Sequence, residues 1–185
     1  MDGDKNKLAA APSKTPSSKA PSSNTGERPD PSAWNQSDLL SYKLAILSRL
    51  FERGSEAQLA RHYGFWLTDC RLLGHLLAKS PRTVRDLAED MVMDKAPISR
   101  SASRLVEKGM LTREADPADG RSAVFNLTVE GRKLASTIMA RARSGQARYL
   151  GLLTPEESWV MLDAVDKLLE FAKTRVPKEP EPRDE

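Results

Sequence analysis

The stretch DKAPISRSASRLVEKGMLTREADPADGRSAVFNLTVEG, residues 94–131, constrains the fold of this chain more than any other part of it. Ile98, Ala102 and Leu105 recur at the spacing that puts small and apolar side chains on one face of a helix, while Ser99, Arg100, Ser103 and Arg104 fall on its other sides. One face is built to pack and the other to present donors. Gly109 is a helix terminator, and residues 111–114 and 123–128 read as two short strands around the turn-forming run DPADG. A helix-sized basic segment therefore runs straight into a hairpin whose tip carries Asp119, Gly120 and Arg121.

That order of elements suits a helix inserted into the major groove of DNA with a hairpin wing beside it. Lys95, Arg100 and Arg104 can reach phosphates or guanine edges, and the short hydroxyls of Ser99 and Ser103 let the helix backbone come close to a groove. Arg121 projects from the hairpin, where a narrow minor groove offers strongly negative potential, and Asp119 is placed to pair with it and hold its direction. The plainer alternative is a solvated amphipathic helix followed by an ordinary surface hairpin. Adjacency of the two elements favours DNA.

Upstream, an apolar periodicity (Leu40, Leu44, Leu47, Leu50, Phe51) predicts a long helix over residues 39–63. Thr68 is the expected cap of a second helix carrying Leu72, Leu73, Leu76 and Leu77. Thr83, with Asp86 three residues on, starts a third helix, and the short link 92–95 makes it and the basic helix a helix-turn-helix candidate. Pro97 is tolerable because it falls in the first turn of that basic helix. Thr128 caps a further helix through Leu134 and Ile138, and Thr154-Pro155-Glu156-Glu157 combines a capping box with proline at the first helical position. Trp159, Leu162, Val165 and Leu169 give that last helix an apolar stripe.

The expected fold is mainly α with a small β-hairpin wing: a winged helix-turn-helix at about 68–131, flanked by helices at about 38–63 and 129–172. The flanking helices carry more apolar surface than the central module needs, so a second copy is expected to cover it, giving a homodimer with twofold symmetry. Residues 1–33 are nearly free of large apolar side chains and 176–185 are rich in Pro and Glu, so both ends are expected to be flexible tails. The lysines of the first tail (Lys5, Lys7, Lys14, Lys19) are nearly cancelled by Asp2, Asp4, Glu27 and Asp30.

Composition excludes several classes of function. With a net charge of +3 the chain is permissive for nucleic acid, and no apolar run is long enough to span a bilayer. A single cysteine rules out an intrachain disulfide framework, and the first residues lack the apolar core of a signal peptide, so a cytoplasmic location is expected, away from membranes. The two histidines, His62 and His75, stand at no metal-ligand spacing to Cys70, and there is no phosphate-binding loop or nucleophile elbow; no catalytic residue, metal or cofactor is expected.

The segments MDKAPISRSASRLVEKGML and DPADGRSAVFNLTVEGRKL resemble the recognition helix and the wing of the MarR family of bacterial transcriptional regulators, and the resemblance extends over residues 38–172. It implies a dimeric DNA-binding regulator, usually a repressor, on a pseudo-palindromic operator whose half-sites lie about one helical turn, roughly 34 Å, apart. By position, Arg121 would enter the minor groove with Asp119 orienting it, Ser99, Arg100, Ser103 and Arg104 would face bases and backbone, and Lys95 and Thr83 would touch phosphates. Pro97 departs from the hydroxyl residue common near the start of the family's helix.

The resemblance also implies release by a small, often aromatic and acidic effector, such as a phenolic acid or its CoA thioester. Arg61, His62, Tyr63, Phe65, Trp66, Cys70 and Arg71 cluster in the sequence where the first helix passes into the second, and an arginine beside aromatic rings suits a carboxylate-bearing ring. The same aromatics suit a helix junction in a core, and Arg71 can equally pair with an acidic neighbour. Two other functions compete. Cys70, early in a helix and next to Arg71, has the setting of a reactive thiolate and an oxidant sensor, although its position favours a small buried apolar residue; and a winged helix can serve protein contacts rather than DNA.

Overall fold

The computed structural model describes Ser32, residues 34–117 and residues 119–175. The expected tails at 1–33 and 176–185 lie outside the described residues, Ser32 apart. Two compact units share the chain, Met1–Leu47 and Ser48–Glu185. In the first, Asn35 and Asp38 cap a 3₁₀ turn, Gln36–Asp38, reciprocally. The helix α1 (Leu40–Tyr63) then begins, and the boundary between the units falls within it.

The second unit is built around α2 (Leu67–Ala78), whose Leu72, Leu73 and Leu76 are wholly buried. It packs against α4 (Lys95–Glu107), α5 (Val129–Leu150) and the sheet. Leu87 from α3 (Val84–Met91), Ile98, Ala102 and Leu105 from α4, Phe125 from the sheet, and Ala135 and Ile138 from α5 complete the core. Each fully buried leucine or isoleucine stabilises by about 1.5–3 kcal/mol, which makes α2 the element the others dock on.

Mainly helical architecture with a small antiparallel sheet agrees with the expected class, with two corrections. The hairpin strands β2 (Leu111–Ala115) and β3 (Ala123–Leu127) are joined by a third, β1 (Arg82–Thr83), in the order β1-β3-β2. Arg82 lies opposite Phe125 and Thr83 opposite Val124. Two residues are too few to show alternation in a sequence, and this strand anchors the start of α3 to the wing. Secondly, Thr68 does not cap α2. The cap lies two residues earlier, at Trp66, so that the helix starts at Leu67, and Asp69 Oδ2 accepts the Trp66 N–H at 3.1 Å.

α6 (Pro155–Lys173) begins on the expected Thr154 cap, with Glu157 returning the hydrogen bond. It buries no residue. No helix among the described residues is long and apolar enough to cross a membrane.

Candidate nucleic-acid interface

α3 and α4 pack as a helix-turn-helix. Val92, the C-cap of α3, takes the left-handed conformation at φ 49° that turns the chain toward α4. On α4 the buried face is Ile98, Ser101, Ala102 and Leu105, and Pro97 sits half-buried in the first turn, where its missing N–H would have no helical partner. Lys95, Ser99, Arg100 and Ser103 are exposed. Among the described residues the Arg100 guanidinium has no ion-pair partner, so its donors are available to an incoming acceptor.

Arg104, expected on this reading face, is turned elsewhere. Its Nη2 lies 2.7 Å from Asp69 Oδ1 on α2, and that carboxylate is almost fully buried. Ser101 Oγ donates to the same oxygen at 2.5 Å. Charge complementarity across the α2–α4 contact thus removes Arg104 from the set of free cations. Sequence periodicity could not show this, because it reports faces of one helix and not the partner on another.

Thr83 is half-buried and used locally. Its hydroxyl accepts the Asp86 N–H at 3.1 Å while the Thr83 N–H donates to Asp86 Oδ2 at 2.9 Å. The Thr83 N–H is the first cause that holds the Asp86 carboxyl below its ordinary value. A hydroxyl that accepts in a cap keeps its own proton to donate, so a phosphate contact by Thr83 is compatible with the cap.

At the wing tip, Asp119 organises the main chain. Its Oδ2 accepts from Ser122 Oγ at 2.6 Å and its Oδ1 accepts the Arg121 N–H at 3.0 Å. The Ser122 N–H closes the turn on the Asp119 carbonyl at 2.9 Å. The Ser122 hydroxyl and the Arg121 N–H hold the Asp119 carboxyl below the usual carboxylate range. The carboxylate thus grips the backbone of residue 121, and the Coulombic attraction of the Arg121 charge adds to it. Both residues are exposed, and the Arg121 guanidinium makes no direct salt bridge among the described residues.

The residues of the 62–71 cluster fall in different surroundings. Arg71 Nη2 is occupied by Glu52 Oε1 at 3.0 Å, Cys70 lies in the core, Tyr63 and Phe65 pack against that core, and His62 and Trp66 face outward. Of the two readings of Cys70 the structure agrees with the buried residue: burial, then the neighbouring Asp69, pushes its thiol up to about 11, the opposite of what a sensor cysteine requires.

Sequence motif logic missed one set of residues. Asp69, Ser101 and Lys108 tie α4 to the α1–α2 junction. The only signal was an acidic residue at the third position of an otherwise apolar helix start, LTDCRLL.

Fold and surface together define a winged helix-turn-helix protein. Residues 63–122 match the model of the MarR family. The transcriptional regulator HosA of Escherichia coli O111:H- is 32% identical over 83 residues, 45% of this chain and 62% of that protein. The HTH-type transcriptional repressor MdtR of Bacillus subtilis is 31% identical over 91 residues, 49% of this chain and 59% of that one. The chain thus spans about three-fifths of the length of these curated relatives, which are regulators and not enzymes. Among solved structures, the S. aureus MepR–DNA complex superposes with a TM-score of 0.66 at 21% identity, covering 72% of this chain and 98% of that one. Residues 63–122, the central part of the winged helix-turn-helix, are thus similar to the MarR family.

Proposed function

We propose that this protein is a sequence-specific regulator of transcription that binds double-stranded DNA, acting as a repressor on a pseudo-palindromic operator. The observation that carries the proposal is the exposed polar face of α4, with Ser99, Ser103 and the unpaired Arg100, followed by a wing whose tip holds the unpaired Arg121. In this arrangement α4 enters the major groove, Arg121 enters the adjacent minor groove, and Lys95 and Thr83 meet phosphates. The sequence similarity to a named repressor and the likeness of fold to a regulator solved on DNA support it. Arg104 is left out of the contact set.

The functional unit is a homodimer. No residue of α6 is fully buried: Leu162 and Val165 are half-buried, and Trp159, Val160, Leu169 and Phe171 are exposed. The first unit, by itself, exposes Leu40 and Leu44. Apolar surface of this kind marks an interaction site, and twofold pairing with a second copy covers it. A small acidic aromatic effector completes the proposal. It would have to use donors other than the Arg71 guanidinium, which Glu52 holds.

The test is selection of bound duplexes from a random pool, followed by affinity measurements across a salt series. Recovery of an inverted repeat with a steep fall of affinity with salt is expected. Binding to no duplex would leave the winged helix as a protein-contact module, and sedimentation as a monomer at micromolar concentration would remove the dimer.

A further inference from the structure

Ser101, Arg104 and Lys108 lie at i, i+3 and i+7, along one flank of α4 and its C-cap. All three reach the same short segment, residues 64–69, the link after α1 and the first turn of α2. Ser101 Oγ and Arg104 Nη2 converge on Asp69 Oδ1 at 2.5 and 2.7 Å. Lys108 Nζ donates to the Gly64 carbonyl at 2.9 Å and stands 4.3 Å from the centre of the Phe65 ring. Asp69 spends its other oxygen on the Trp66 N–H, so one buried carboxylate fixes both the start of α2 and the flank of α4.

Apolar packing by Ile98, Ala102 and Leu105 is non-directional. It holds α4 against α2 but leaves rotation about the helix axis weakly defined. Charge-assisted hydrogen bonds have the angular preference that packing lacks. Reading base edges demands placement to within about 0.5 Å and 10–20°, and the residues that would read them, Ser99, Arg100 and Ser103, are offset around the helix from this flank by fixed angles.

We propose that Asp69 is the positioning residue of the recognition helix: through Ser101 and Arg104, and with the Lys108–Gly64 bond as a second tie, it sets the rotation of α4 and thereby the discrimination between sequences. Asp69 itself touches no DNA. The inference rests on the DNA-binding role proposed above.

The test uses the full chain, a duplex selected by the wild type, and a scrambled duplex of equal length and composition, titrated over a salt series at a temperature where melting curves show each variant folded. Asp69→Asn is expected to lower the preference for the selected duplex about tenfold, with the salt slope unchanged. Arg104→Gln is expected to do the same, and the double variant to be no worse than either single one, since the two residues act as one unit. Ser101→Ala, which removes one donor and no charge, folds more surely and is expected to lower the preference about threefold. A wild-type preference in both Asp69→Asn and Ser101→Ala would overturn the proposal. So would an Arg104→Gln variant that loses affinity equally on both duplexes with a salt slope smaller by about one, the behaviour of a phosphate contact. Failure of the wild type to recover any duplex would instead overturn the DNA-binding role and this inference with it.

Discussion

The carbonyl oxygen of Met110 occupies the place that a β-carbon on residue 131 would need: an added Cβ at Gly131 would lie 1.9 Å from it. The close approach follows from the way the wing closes onto α5. Thr128 Oγ1 donates to the Gly109 carbonyl at 2.8 Å and accepts the Gly131 N–H at 3.0 Å, so a single hydroxyl fastens the first turn of α5 to the loop that ends α4. The run Leu127-Thr128-Val129-Glu130-Gly131 is thus a packing device with a cap inside it.

Gly131→Ala is accordingly expected to destabilise the protein by about 2–3 kcal/mol, because the clashing atom is backbone and cannot rotate away. Urea unfolding followed by circular dichroism measures it. A change under about 0.5 kcal/mol would mean that the α4–β2 loop gives way freely.

At the wing, Arg121→Ala is expected to weaken binding to the selected duplex by about 1–3 kcal/mol, with folding unchanged because the side chain is exposed. Asp119→Ala is expected to weaken binding less: it loosens the turn through Ser122 and the Arg121 N–H but leaves the guanidinium in place. Equal affinity of wild type and Arg121→Ala at matched salt would remove the wing from the interface.

What the sequence disclosed and what it withheld divide along a physical line. Local signals carried through: the Thr83–Asp86 and Thr154–Glu157 caps, the Gly109 stop at φ 70° and the buried stripe Ile98, Ala102, Leu105 each depend on residues within a few positions of one another. Pairings across elements did not. Arg104 looked like one more cation on a basic helix until Asp69, 35 residues away, took it up. For Arg71 the sequence left clamp and acidic partner both open and could not name Glu52, and for Cys70 it left a reactive thiol beside the buried residue that the structure has. The two-residue strand β1 escaped because its only support is β3, more than forty residues downstream.

The Thr83–Asp86 cap gives stability a pH dependence of known sign. The Asp86 carboxyl titrates below its ordinary value of 3.8, chiefly through the Thr83 N–H. A group whose folded-state pKa is depressed contributes stability above its unfolded value and loses it as pH falls through the folded one. Asp86→Asn is expected to lower the melting temperature at pH 6, by the equivalent of about 1 kcal/mol, and the gap from wild type is expected to narrow below pH 3.8. A gap of constant size down to pH 2.5 would show that the charge of Asp86 contributes nothing.

Cys70 shifts in the opposite direction, which separates a core thiol from a sensor. With the thiol raised from 9.0 to about 11 by burial and by Asp69, the native protein holds about a hundredfold less thiolate at pH 8 than the unfolded chain, and the thiolate is the reacting species. Iodoacetamide is therefore expected to label the native protein at least that much more slowly than the protein in urea, at a rate set by transient opening. Peroxide is expected to leave affinity for the selected duplex unchanged. The stabilising effect of the neutral buried thiol is complete below pH 9.0 and is lost as pH rises toward 11. A Cys70→Ala variant should therefore show a shallower fall in melting temperature between pH 9 and pH 10.5 than the wild type. Native labelling as fast as labelling in urea would place the thiol at the surface and reopen oxidant sensing.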